Sequence, residues 1–170
     1  LYEGMVAAAR LGLPVAVHAE SEALTSALAA RALAEGRLSV RDYLASRPVL
    51  AELEAIQRAI LLATEAGCAL HIVHVSSGRG VALVAEARAR GVDISCETCP
   101  HYLVLTEEDV ERIGAAAKCA PPIRDEAARE ELWARLLGGQ VDLVASDHSP
   151  APPEMKGPAP TGFFGSWGGI

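Results

Sequence analysis

The sequence lacks any apolar run of the roughly 18 residues that a membrane-crossing helix needs, so no membrane partner is expected. It also lacks an excess of basic charge: 15 Lys plus Arg stand against 22 Asp plus Glu, for a net charge of −7. Affinity for phosphate backbones comes mainly from Lys and Arg, which excludes a nucleic-acid binder. No signal peptide reads at the N-terminus, where Arg10 and Glu20 flank only a short apolar stretch. Four cysteines (Cys68, Cys96, Cys99, Cys119) in 170 residues do not make a disulfide framework. Lysine is nearly absent, with Lys118 and Lys156 alone. What is present is a globular balance, 51% hydrophobic and 22% charged, able to bury a core and unlike a disordered tail. The expectation is a cytoplasmic protein of one domain, or a piece of a larger domain. The chain opens at Leu1 inside a helical pattern and stops at Ile170 without a polar tail, so a fragment of a longer protein is expected.

Four short apolar runs read as strands: 14–18, 70–75, 92–96 and 141–145. They are rich in β-branched residues and nearly continuous, as suits strands of a parallel α/β sheet. Gly12, Gly67, Gly91 and Gly139 each stand before a strand and mark the end of a helix. Helices are expected over about 2–11, 21–36, 51–66, 78–90 and 125–137. Ser21 is a candidate N-cap and Asp125 lies in a first turn. The alternation βαβαβαβ argues for a parallel α/β architecture.

Three strands end in residues able to bind a metal: His18-Ala19-Glu20, His74-Val75-Ser76-Ser77 and Asp147-His148-Ser149. In a parallel barrel, strand C-termini converge on one rim, which would gather these side chains. A lone histidine is as well explained by the core or the surface; three ligand types at equivalent strand ends are not. Imidazoles and a carboxylate suit zinc or a similar divalent ion, with His18, His74 and Asp147 as ligands. Asp147 could also accept a proton from water acidified by the cation. Strand alternation from an inward His74 would place Ile72 and Leu70 inward and turn His71 toward the helices. Ala16, Leu143 and Ala145 would also point inward. Cys96-Glu97-Thr98-Cys99 has no second C-x-x-C and sits at a strand end, which favours buried thiols over a redox pair or a zinc knuckle. His101 and His148 fall on strand-end loops and could contact substrate or orient a ligand through hydrogen bonds.

Several ordered segments carry a family likeness: VAVHAES at 15–21, AGCALHIVHVSSGRGV at 66–81 and ISCETCPHYLVLT at 94–106. AAKCAPPIRDE at 116–126, VASDHSPAPPEMK at 144–156 and GSWGGI at 165–170 continue it. With these the chain resembles the cyclic amidohydrolases (allantoinase, dihydroorotase, dihydropyrimidinase), the allantoinase branch above all. The resemblance implies a TIM-type (β/α)8 barrel with a binuclear centre of divalent metal, zinc being the expected ion, that hydrolyses a cyclic amide. It makes residues 1–170 the C-terminal half of the barrel domain, with strands five to eight. It implies that His18 and His74 hold one metal and that Asp147 binds the other and acts as the base. The backbones of Ala120 and Gly168 match positions that contact the substrate ring. The expected partner is a small cyclic ureide, and the expected assembly is a homo-oligomer.

The family's H-x-H pair and the carboxylated lysine that bridges the metals are not in this chain, which holds three of six expected ligands. The segment alone is therefore expected to be inactive. The loop after Asp147 lacks the further histidine with which dihydroorotases grip a carboxylate, which favours ring opening of allantoin to allantoate. Dihydroorotase, dihydropyrimidinase or hydantoinase, and a non-catalytic amidohydrolase-like fragment are the competing readings.

Overall fold

Glycine ends the helix before each strand by giving the backbone a left-handed turn that costs other residues energy. Gly12 (φ 66°) caps α1 (Tyr2–Leu11), and Gly67 (φ 65°) caps α4 (Val49–Ala66). The strands then follow within three residues: β1 (Val15–Val17) and β2 (Leu70–Ile72). The computed structural model describes residues 1–157 and 160–170. Between β1 and α4 lie α2 (Glu22–Ala34) and α3 (Val40–Ser46), the latter started by a Ser39/Asp42 capping box. After β2 come α5 (Gly78–Ala89), β3 (Ile94–Thr98), α6 (Pro100–Val104) and α7 (Glu107–Ile113). The last units are α8 (Glu126–Leu137) and β4 (Leu143–Val144). Asp125 is the N-cap of α8, where its carboxylate accepts from the Ala128 amide.

The four strands form one parallel sheet in chain order, as the alternating pattern requires. Strands β1, β2 and β4 are shorter than their apolar runs, and β3, as long as its run, lies two residues later than expected. The run at 70–75 stops pairing regularly at Ile72 because the backbone turns left-handed at His74, with φ 42°.

That turn also corrects the expected alternation. Leu70, Ile72, Ile94 and Cys96 are buried with Ile56, Ala59, Ile60 and Ala63 of α4 and with Val81, Val84 and Ala87 of α5. They face the helices, not the barrel interior. Each fully buried Leu or Ile there contributes roughly 1.5–3 kcal/mol. Ala16, His71 and Ser95 are register partners in a row across the opposite face. His71 therefore looks away from the helices, reversing the expectation, and Leu143 lies beside Glu97 on that same face, as expected. Counting back from His74 in steps of two fails because the left-handed residue resets the direction of the side chain.

Helices α5 and α8 approach closely at Gly78, where a Cβ would lie 2.7 Å from the Glu131 backbone. Among the described residues, no helix is long and apolar enough to cross a membrane.

Candidate active site

His18 follows β1 and His74 follows β2, so parallel pairing brings the two to one rim. The amide of Val73 donates to the Val17 carbonyl at 3.2 Å, aligning the two strand ends just below them. His18 Nδ1 then lies 2.9 Å from His74 Nε2, with the rings edge-on, centroids 4.7 Å apart and planes at 72°. His74 is buried, while the His18 side chain is 48% exposed. Burial, aided by the His18 charge, lowers the His74 pKa, against a smaller opposing pull from Asp147. A neutral imidazole results, the form in which histidine binds metal. The buried Nδ1 of His74 has no hydrogen-bond partner among the described residues.

Two nitrogens on a tetrahedral cation with bonds near 2.0–2.1 Å stand about 3.3 Å apart, so a slight splay of the pair admits one. The pair thus fits part of a cation site. Among the described residues, no cluster of three or more His, Cys, Asp or Glu side chains could hold a metal. Asp147 is exposed on its own loop with φ 48°, outside any such cluster. Its charge still reaches the rim, raising the pKa values of His74, His101 and Cys99 against or alongside the other influences on them.

Behind His18 sits Glu20, with a side chain only 2% exposed and a carboxylate oxygen 3.5 Å from His18 Nε2. Arg47 pairs with that same oxygen, while the other oxygen of Glu20 has no partner among the described residues. His101 stacks edge-on against Tyr102 at 4.3 Å, and burial pushes its pKa down to about 4. His148 is exposed and has no side-chain hydrogen bond among the described residues. His71 bonds to Ser95 Oγ at 2.8 Å and to Glu97 at 3.2 Å, on the sheet face described above.

All four cysteines are free and buried. Burial pushes the Cys96 and Cys99 thiols up to about 12, which removes the thiolate that redox chemistry needs. One detail differs from expectation: Cys99 ends the strand region and is also the N-cap of α6, with Pro100 in its first turn.

Ala120 and Gly168, far apart in sequence, line one cavity of about 440 Å³ together with Tyr43, Arg47, Lys118 and Phe164. The two lysines hold the C-terminal segment against this cavity. Lys118 Nζ donates to the carbonyls of Phe163, Phe164 and Ser166 at 2.6–2.8 Å, and it lies 4.6 Å from the centre of the Tyr43 ring. Lys156 Nζ donates to the Ala115, Lys118 and Gly169 carbonyls.

Sequence reasoning named these lysines without giving them a structural role, and it passed over Glu52 and Arg124, which are buried beside the turn that follows His74. A signal existed for Glu52. It shares the spacing of Ile56, Ala59 and Ala63, placing a carboxylate on the buried stripe of α4.

Comparison with known proteins matches residues 1–79 to the family model described as dihydro-orotase-like. The chain is 67% identical over its whole length to an allantoinase of Rubrobacter xylanophilus and 61% identical to one of Deinococcus radiodurans. It is 48% identical, over 99% of its length, to an allantoinase of Escherichia coli O9:H4 (strain HS). It spans 37–38% of the length of each of these relatives. Among solved structures it is similar to the L-hydantoinase (dihydropyrimidinase) of Arthrobacter aurescens, with a TM-score of 0.95 and 41% identity, covering 99% of this chain and 37% of that one. A D-hydantoinase (dihydropyrimidinase) from Thermus sp. gives a TM-score of 0.94 at 29% identity, with 99% and 38% covered. The four parallel strands and their helices are therefore adjoining units of a TIM-type (β/α)8 fold.

Proposed function

This chain belongs to the cyclic amidohydrolases, and we propose that the protein carrying it opens a cyclic ureide by hydrolysis, converting allantoin to allantoate. The observation that supports this most is the facing pair His18 and His74 at adjacent strand ends, in a chain similar to allantoinases from end to end. Residues 1–170 are read as the C-terminal half of the barrel domain, strands five to eight, in a protein that forms a homo-oligomer.

His18 and His74 would hold one divalent cation, zinc by the chemistry of the donors, and Asp147 would contribute to a second. A cation bound there supplies Lewis acidity, polarising the ring carbonyl and making an attacking water more acidic. Asp147 removes the proton from that water and returns it to the ring nitrogen as the C–N bond breaks. The backbones of Ala120 and Gly168, which line one cavity, hold the ring by its amide edges. His101, kept neutral by burial and within reach of the Asp147 charge, and His148, next to Asp147 in the chain, would orient substrate and base.

Lys118 and Lys156 donate to backbone carbonyls and close no strand, so neither serves as a bridging ligand here. The absence of a further histidine after Asp147 argues for an uncharged ureide over dihydroorotate.

The test is turnover of allantoin, dihydroorotate, dihydrouracil and hydantoin side by side by the protein carrying this chain. Allantoin should be preferred, and Asp147→Asn should lower kcat by about 10²–10⁴-fold with the fold intact. Preference for another ring would replace the substrate. A larger loss from His148→Ala than from Asp147→Asn would reassign the base.

A further inference from the structure

Glu52 is 1% exposed on the apolar stripe of α4, a place where an aliphatic side chain would cost less than a carboxylate. Among the described residues, every hydrogen bond it accepts comes from the two residues that close the turn after His74. Oε1 takes the Ser76 amide at 2.7 Å and the Ser76 hydroxyl at 2.8 Å, and Oε2 takes the Ser77 hydroxyl at 2.5 Å. Arg124, also buried, donates from Nε to Ser76 Oγ at 2.9 Å and from Nη1 to the Arg47 carbonyl. The hydroxyl of Ser76 thus links a buried anion to a buried cation. Ser77 Oγ accepts in turn from the Gly80 amide, fixing the first turn of α5. Space for the carboxylate depends on Gly80, whose Cβ would lie 3.2 Å from Glu52 Oε2 and 2.8 Å from Val75 Cγ1.

His74 has the left-handed backbone that a non-glycine residue adopts only when its surroundings over-determine it. On the sheet side, the Val75 amide donates to Glu97 O at 2.8 Å and the Val75 carbonyl accepts from Thr98 Oγ1 at 2.8 Å. Those bonds fix Val75 against β3 but leave the chain free to leave the turn in other directions. The Glu52 bonds to Ser76 and Ser77 supply the remaining restraint. A ligand held within tenths of an ångström needs this kind of support from behind.

We infer that Glu52 is a positioning residue: with Ser76 and Arg124 it fixes the turn that aims His74 Nε2 at the cation shared with His18. This rests on the cation reading above and assigns a role to a residue that touches neither cation nor substrate.

Cobalt(II) replaces zinc as the probe, because its visible spectrum reports ligand geometry independently of turnover. In the protein carrying this chain, Glu52→Ala should weaken Co(II) binding by about 10–100-fold and shift its visible bands. Glu52→Gln keeps an oxygen for Ser76 and should lose only a few-fold, which serves as partial rescue and as the fallback if the alanine variant does not fold. Ile60→Ala, eight residues along the same helix, is the control for stability: it should lower the denaturation midpoint and leave the Co(II) spectrum unchanged. Wild-type Co(II) affinity and spectrum in both Glu52 variants would overturn the positioning role alone. Co(II) binding that survives His74→Ala would overturn the cation reading, and with it the purpose assigned to Glu52.

Discussion

His18 Nδ1 and His74 Nε2 face each other at 2.9 Å across two adjacent strands. At that separation both nitrogens cannot carry hydrogen, so at least one lone pair points into the gap. Removing either ring leaves a single donor. His18→Ala or His74→Ala should each lower zinc affinity on the order of 100-fold or more, as read by competition with a chromophoric chelator. Equal affinity in both variants and wild type would place the cation elsewhere.

His101 gives a pH signature. Its pKa is about 4 in the folded protein, against about 6.5 for an unfolded histidine, because burial disfavours the cation. The unfolded chain therefore binds the extra proton first as pH falls. This contribution to stability is complete above about pH 6.5 and is lost progressively toward pH 4. The His101 ring resonances should titrate near pH 4. Urea midpoints measured from pH 7.5 to 4.5 should fall more steeply in wild type than in His101→Asn.

Lys118 sets the C-terminal segment. Its ammonium donates to three carbonyls between Phe163 and Ser166, and a methionine of similar length donates to none. Hydrogen bonds from charged groups contribute roughly 1.5–3 kcal/mol, so Lys118→Met should destabilise by about 2–4 kcal/mol. Hydrogen exchange should accelerate at the amides of residues 163–167 while those of α4 keep their protection.

Gly78→Ala should be costly although alanine favours helices. The new methyl would sit 2.7 Å from the backbone carbonyl carbon of Glu131 and 2.9 Å from its oxygen, so α5 and α8 must move apart. Overpacking of this kind typically costs about 1–3 kcal/mol, which a chemical denaturation curve resolves. A stability equal to wild type would show that α8 yields freely.

The order of strands and helices was legible because its signals are local. Gly12, Gly67, Gly91 and Gly139 all have positive φ immediately before the strands they announced. The facing of the strand residues was not legible, since alternation holds only while the backbone stays extended, and nothing local marks His74 as left-handed. His18 and His74 could be paired from sequence because each ends a strand next to the other. Asp147 could be placed at the same rim but not within reach of a shared cation, because loop geometry decides that. Glu52 went unread for another reason. Its spacing with Ile56 and Ala63 puts it on the buried stripe, but what it does there depends on donors from residues more than 20 positions away.

The positive φ values at His74 and Asp147 have a consequence for how this scaffold can vary. A side chain projecting from regular strand inherits its direction from every residue beneath it, so a slip or a bulge below would swing it aside. A left-handed residue at the tip breaks that inheritance. His71 and Ser95 could change in size or polarity, and the sheet could adjust its pleat to suit, without re-aiming the two tips. Lineages built on this segment are then free to rewrite the stalks of the strands while the tips stay fixed.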